Sequence, residues 1–163
     1  MTRPTLCAAA LAVAALLPVA GASAAALEGE QFYLGGGVSD NEIGASDAGG
    51  FQFFLGYELP LDTDALGVAV ELGYWEAGDF DRQTPSGRRS FDVDGIWLNG
   101  VASVPLSPRF DLIGRVGLDF GDDSGLMAGA GLGFDLDPSF QLRGEVIERD
   151  DTESLQLNLL YRF

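Results

Sequence analysis

Hydrophobic alternation with a period of two, renewed about every 15 to 20 residues, constrains this chain more than any other feature. In an extended strand that period sends apolar side chains to one face and polar or small ones to the other. Eight segments carry it. The first runs near Gln31 to Ser39, with Phe32, Leu34 and Val38 on one face. The second, Gly50 to Leu59, sets Phe51, Phe53, Leu55, Tyr57 and Leu59 against Gln52, Gly56 and Glu58. The third, Leu66 to Trp75, sets Val68, Val70, Leu72 and Tyr74 against Ala69, Glu71, Gly73 and Trp75. The fourth runs near Val93 to Val104, with Ile96 and Leu98 opposed to Trp97 and Asn99. The fifth, Phe110 to Phe120, opposes Leu112, Val116 and Leu118 to Asp111, Arg115, Gly117 and Asp119. In the sixth, Leu126 to Leu136, one face is Leu, Ala and Phe, and the other holds Gly129, Gly131 and Gly133. The seventh, Phe140 to Arg149, sets Leu142 and Val146 against Gln141, Arg143 and Glu145. The eighth, Ser154 to Phe163, sets Leu155, Leu157, Leu159 and Tyr161 against Gln156, Asn158 and Arg162.

Segments of about 9 to 11 residues match the length at which a tilted strand crosses a bilayer. The connections alternate in character. Pro60 to Ala65, Pro105 to Pro108 and Asp137-Pro138 read as tight turns, whereas Asp40 to Gly49 and Glu76 to Ser90 read as longer, polar, Gly-rich loops. Gly121 to Gly125 and Asp150 to Glu153 are shorter and strongly charged. Short turns at one end and longer loops at the other predict an all-β fold, an eight-stranded antiparallel up-and-down transmembrane β-barrel with both termini on the periplasmic side.

Which face points outward decides between a membrane and a soluble barrel. A soluble, lipocalin-like carrier directs its apolar face inward onto a ligand. Here the opposite face carries Glu71, Asn99, Asp111, Arg115, Gln141, Arg143, Glu145, Asn158 and Arg162. Those groups suit a narrow interior in which side chains fill the space and pair with one another. The continuous apolar face then requires lipid outside it. No segment after the N-terminal one approaches 18 consecutive apolar residues, so a closed barrel is the route across a membrane.

The N-terminus supplies an export signal. Arg3 is followed by an apolar stretch from Leu6 to Ala20, and Ala22-Ser23-Ala24 fits the small-x-small cleavage rule. Residues 1–24 are therefore predicted to be a signal peptide and residues 25–163 the barrel domain; Ala24-Ala25-Ala26 offers a second cut two residues later. The sole cysteine, Cys7, leaves with the signal, so the mature chain has no thiol or disulfide. It keeps eight arginines against 25 carboxylates, a net charge of −17, and has no lysine or histidine. Nothing in that balance neutralises a run of phosphates, so nucleic acid is not an expected partner.

The chain ends on Leu157-x-Leu159-x-Tyr161-x-Phe163, strict alternation closed by an aromatic residue. With it, the stretch Leu98 to Leu112, a strand, a proline-containing turn and a second strand, resembles the small outer-membrane β-barrel family typified by the OmpA transmembrane domain and OmpX. The resemblance covers the whole mature chain. It implies a Gram-negative outer membrane, surrounding lipid and lipopolysaccharide, and assembly by the outer-membrane insertion machinery reading Leu157, Leu159, Tyr161 and the terminal Phe163. It also implies that Glu71, Arg115, Arg143 and Glu145 form an inward network, either a gate for water or small ions or static packing of paired charges. The glycines of the inward face leave the same choice: they open water-filled cavities, or they relieve crowding opposite Trp75 and Trp97.

Enzymes built on such barrels rely on a histidine beside a serine or an acid for proton transfer. This chain offers none, so the expectation is a protein without catalysis, cofactor or metal. Its role is then structural or at the cell surface. The loop candidates are Asp79, Asp81, Arg82, Arg88 and Arg89, with Asp122-Asp123 and Asp150-Asp151 beside them. Carboxylates of this kind can share divalent cations with lipopolysaccharide, although no ordered calcium-loop spacing is present. The arginines can meet lipid phosphates. A simply solvated charged surface is the alternative for both.

Overall fold

The computed structural model describes residues 31–43, 46–84, 87–121, 124–149 and 152–163, and between 79 and 93 it describes the backbone. The predicted signal peptide lies outside the described residues. Eight strands, β1 (Phe32–Ile43), β2 (Ser46–Glu58), β3 (Gly67–Thr84), β4 (Gly87–Ser107), β5 (Phe110–Asp119), β6 (Gly125–Asp135), β7 (Phe140–Glu148) and β8 (Glu153–Arg162), follow one another around a closed barrel. Every neighbouring pair is antiparallel, and β8 pairs back onto β1.

The register fixes the tilt. Stepping across the pairs from Phe32 leads through Tyr57, Val70, Gly100, Val116, Ala128, Glu148 and Glu153, and returns to β1 at Glu42. One circuit therefore climbs ten residues of β1, from 32 to 42. A stagger of that size inclines the strands by about 35–45° to the barrel axis.

The predicted faces hold on every strand. Leu126 (66% exposed), Val38, Leu155 and Phe53 stand on the outer surface, while Glu71, Trp97, Asn158 and Leu160 are fully enclosed. An outer wall this apolar suits lipid and excludes the inward-greasy carrier. Aromatic residues ring the end that holds both termini: Phe32 packs on Tyr57, Phe110 on Phe134, and Phe140 on Tyr161. This is the interfacial belt where amphipathic rings belong.

The strands depart from the sequence reading at their ends. The segments read as long loops at Asp40 to Gly49 and Glu76 to Ser90 are largely paired strand: β1 meets β2 as far as Ile43 and Ser46, and β3 meets β4 as far as Thr84 and Gly87. Ladder hydrogen bonds join backbone to backbone, so they continue past the membrane where side chains no longer need to alternate. Pro105, Leu106 and Ser107, read as part of a turn, belong to β4, with a register shift between Pro105 and Ser107. Proline has no N–H to donate, and a bulge accommodates the missing bond. Glu153, read as loop, opens β8. Asp122, Asp123, Asp150 and Asp151 lie outside the described residues. A second shift separates Glu76 from Asp79, and Gly78 there takes φ 75°, a left-handed conformation open to glycine.

Candidate functional site

The barrel interior is built around one carboxylate. Glu71 stands on the inner face of β3 and is wholly buried. Tyr33, from β1, donates its hydroxyl to Glu71 Oε1 at 2.6 Å. Arg143, from β7, donates Nη1 to the same oxygen at 2.7 Å. Arg115, from β5, places Nη1 at 3.1 Å from Oε2. Arg115 also grips Glu145 of β7 with a two-pronged pair, Nε to Oε1 at 3.0 Å and Nη2 to Oε2 at 2.7 Å. Parallel bonds of this kind fix both partners in orientation and are the strong form of the ion pair. The structure thus brings together all four residues expected in the lumen. Two carboxylates balance two guanidiniums, as burial in low dielectric demands.

The network reaches towards both ends. Below Glu71, Arg143 Nε donates to Gln141 Oε1 at 2.8 Å, and Gln141 Nε2 donates to Asp111 and Asp135 at 2.9 and 3.0 Å. Arg162 then ties Asp135 to Glu58 across the periplasmic mouth. Asn158 and Gln52 extend the chain above Glu145. Closer to the extracellular end, Arg149 Nε bonds Asp119 at 3.1 Å, its Nη1 bonds Ser154, and its guanidinium lies 3.9 Å over the Trp75 ring. Ser154 in turn donates to Asn41. Trp97, Met127, Ile147 and Phe54 occupy the space between.

The inward glycines are accounted for by this filling. A Cβ at Gly73 would overlap the Trp97 ring, one at Gly56 the Tyr33 ring, and one at Gly129 the Ile147 side chain. These three make room for large neighbours, and one of them, Gly73, does so opposite Trp97. A cavity of about 300 Å³ opens at the periplasmic mouth, lined by Glu58, Asp64, Asp111, Asp135, Arg143 and Arg162 among others. Among the described residues no cluster of three potential metal-ligating side chains occurs.

Sequence reasoning did not single out Tyr33, Asp119 or Arg149. Tyr33 sits one residue from the apolar outward series, and only its parity marks it as inward. Sequence reasoning sets Asp119 on the inward face of the fifth strand and ends the seventh at Arg149, but joins neither to the charge network. The surface candidates Asp79, Asp81, Arg82, Arg88 and Arg89 fall on the projecting ends of β3 and β4, and their side chains lie outside the described part of the structure. Leu157, Leu159, Tyr161 and Phe163 all face outward, with Tyr161 held between Phe140 and Phe163 at ring separations of 5.0 and 5.4 Å.

A closed eight-stranded barrel with an apolar exterior and a charge-paired lumen narrows the choice of family, and the family profile described as outer membrane protein beta-barrel domain matches residues 11–163. The chain belongs to that family. No curated protein sequence matches it. Among solved structures it is similar to a de novo designed transmembrane β-barrel, at 15% identity and TM-score 0.56 over 83% of this chain and 98% of the other. It is also similar to the Yersinia pestis outer membrane protein Ail in a phospholipid bilayer nanodisc, at 18% identity and TM-score 0.55 over 83% and 100%. Neisserial surface protein A gives 14% identity and TM-score 0.50 over 82% and 97%. At such identities the likeness establishes the fold. The family places the barrel in the outer membrane.

Proposed function

We propose that this outer-membrane barrel is a non-enzymatic, closed platform that serves the envelope structurally and meets partners through its extracellular end. The observation that carries this reading is the convergence of Tyr33, Arg115 and Arg143 on Glu71, which draws β1, β3, β5 and β7 together across the lumen. In the same reading residues 1–24 direct export, the insertion machinery recognises Leu157, Leu159, Tyr161 and Phe163, and lipid with lipopolysaccharide surrounds the wall.

A narrow gated channel is the second reading. The cavity at the periplasmic mouth reaches Arg143, a member of the charge network. Planar-bilayer recording separates the two. The platform predicts no resolved current steps from the purified wild-type barrel. Steps that appear in the wild type and vanish on Arg143→Gln would overturn it and install the network as a gate.

A further inference from the structure

Three kinds of surface line the cavity of about 300 Å³ at the periplasmic mouth. Ala69 of β3, with Val101 and Pro105 of β4, makes one side apolar. Asp111 of β5 and Asp135 of β6 make another side acidic, and Glu58 and Asp64 add two more carboxylates. Arg143 of β7 supplies a buried cationic group, 4% exposed.

Charge is out of balance there. Arg143 is engaged with Glu71, and Arg162 is divided between Asp135 at 3.1 Å and Glu58 at 3.6 Å. Among the described residues Asp111 meets only an uncharged group, the Gln141 amide, at 2.9 Å. The same amide nitrogen serves Asp135 at 3.0 Å, so two carboxylates draw on one donor. A cleft with one sign in excess focuses its field and concentrates ligands of the other sign. This one attracts a cation.

Arg143 adds a second requirement. Its Nε donates to Gln141 and its Nη1 to Glu71, whereas Nη2 has no partner among the described residues. Buried donors are normally bonded, and this one belongs to a side chain that lines the cavity. It calls for an acceptor beside the acidic wall. A bare metal ion answers neither requirement: among the described residues no three carboxylates converge on one point. An aliphatic diamine would set a second cation against Arg143. An aliphatic chain with a carboxylate at one end and an ammonium group at the other suits all three surfaces.

We propose that the periplasmic mouth binds a basic amino acid, free or at the carboxyl end of a short peptide. Its carboxylate accepts from Nη2 of Arg143. Its methylene chain lies against Ala69, Val101 and Pro105. Its side-chain ammonium group donates to Asp111 and Asp135. Charge-assisted bonds at both ends make the site selective for a ligand that carries both groups. The site goes beyond the platform reading, which places partners at the opposite end of the barrel.

The test uses the mature barrel in nanodiscs and equilibrium dialysis of labelled lysine, cadaverine and norleucine. Cadaverine lacks the carboxylate of lysine, and norleucine lacks its side-chain ammonium group. Lysine is expected to bind saturably, and each of the other two at least about tenfold more weakly. Asp111→Asn should lose about tenfold in lysine affinity while still shifting on gels between unheated and heated samples. Glu148→Gln, on the outer surface, should bind lysine as the wild type does. The ligand series needs no variant, so it decides even where a substitution disturbs folding. Nα-acetyllysine separates the sources: binding as tight as lysine supports peptide ends, and its loss supports the free amino acid. No saturable binding of lysine, cadaverine or norleucine equal to lysine, or an unchanged affinity in a folded Asp111→Asn barrel each overturns the proposal.

Discussion

Lumen and hairpin treat charge in opposite ways. Inside, among the described residues, buried carboxylates are met by guanidiniums: Glu71 by Arg115 and Arg143, Glu145 by Arg115, Asp119 by Arg149. On the hairpin, Asp79 faces Asp92 and Arg82 faces Arg89. The solvent explains the difference. An unpaired charge in the narrow interior forfeits hydration worth several kcal/mol, so the interior admits one arrangement. A projecting hairpin stands in water and salt, where a misplaced charge costs little. Only there is the chain free to arrange charge for something other than its own stability.

The largest expected effect breaks the interior side of this contrast. Glu71→Ala removes the one carboxylate shared by Tyr33, Arg115 and Arg143, and should destabilise the barrel by about 3–5 kcal/mol in urea unfolding from lipid vesicles. A loss below about 1 kcal/mol would mean that water already reaches the site. Next comes a paired test of the wall. Gly73→Val drives a side chain into the Trp97 ring and should cost about 1–3 kcal/mol or prevent folding. Gly114→Val, on the lipid side where a Cβ meets nothing within 4 Å, should be neutral or stabilising by up to about 1 kcal/mol. Equal losses at both would show that strand flexibility, not crowding, selects glycine. The smallest effect sharpens the hairpin side. Arg89→Glu sets opposite charges across from Arg82 and should slow amide exchange in the hairpin by the equivalent of about 0.2–1 kcal/mol.

Where one face had to be apolar, the sequence was transparent. Phe51, Phe53 and Leu55 could face only lipid, and their alternation with Gln52 set the parity of β2. Glu71, Arg115, Arg143 and Glu145 followed from the same parity. Beyond the membrane that constraint lapses. From Asp79 to Asp92 the sequence no longer alternates apolar with polar, so charge and glycine mimic a loop although the backbone stays paired. Inward apolar residues such as Ile113, Met127 and Leu160 were equally hard to assign. A lumen is neither solvent nor lipid, and composition alone does not distinguish its lining.

Glu71 has a consequence for how the barrel is made. Tyr33 and Arg115 come from strands two away from its own, but Arg143 stands on β7, four strands from β3 until the sheet curls shut. In an open sheet, β1 and β7 lie towards opposite margins, and one carboxylate cannot touch both. Its water must therefore leave in the same step that joins β8 to β1. Closure and the last step of dehydration become a single event, so a partly zipped barrel lacks the Arg143 contact and holds Glu71 with one guanidinium fewer.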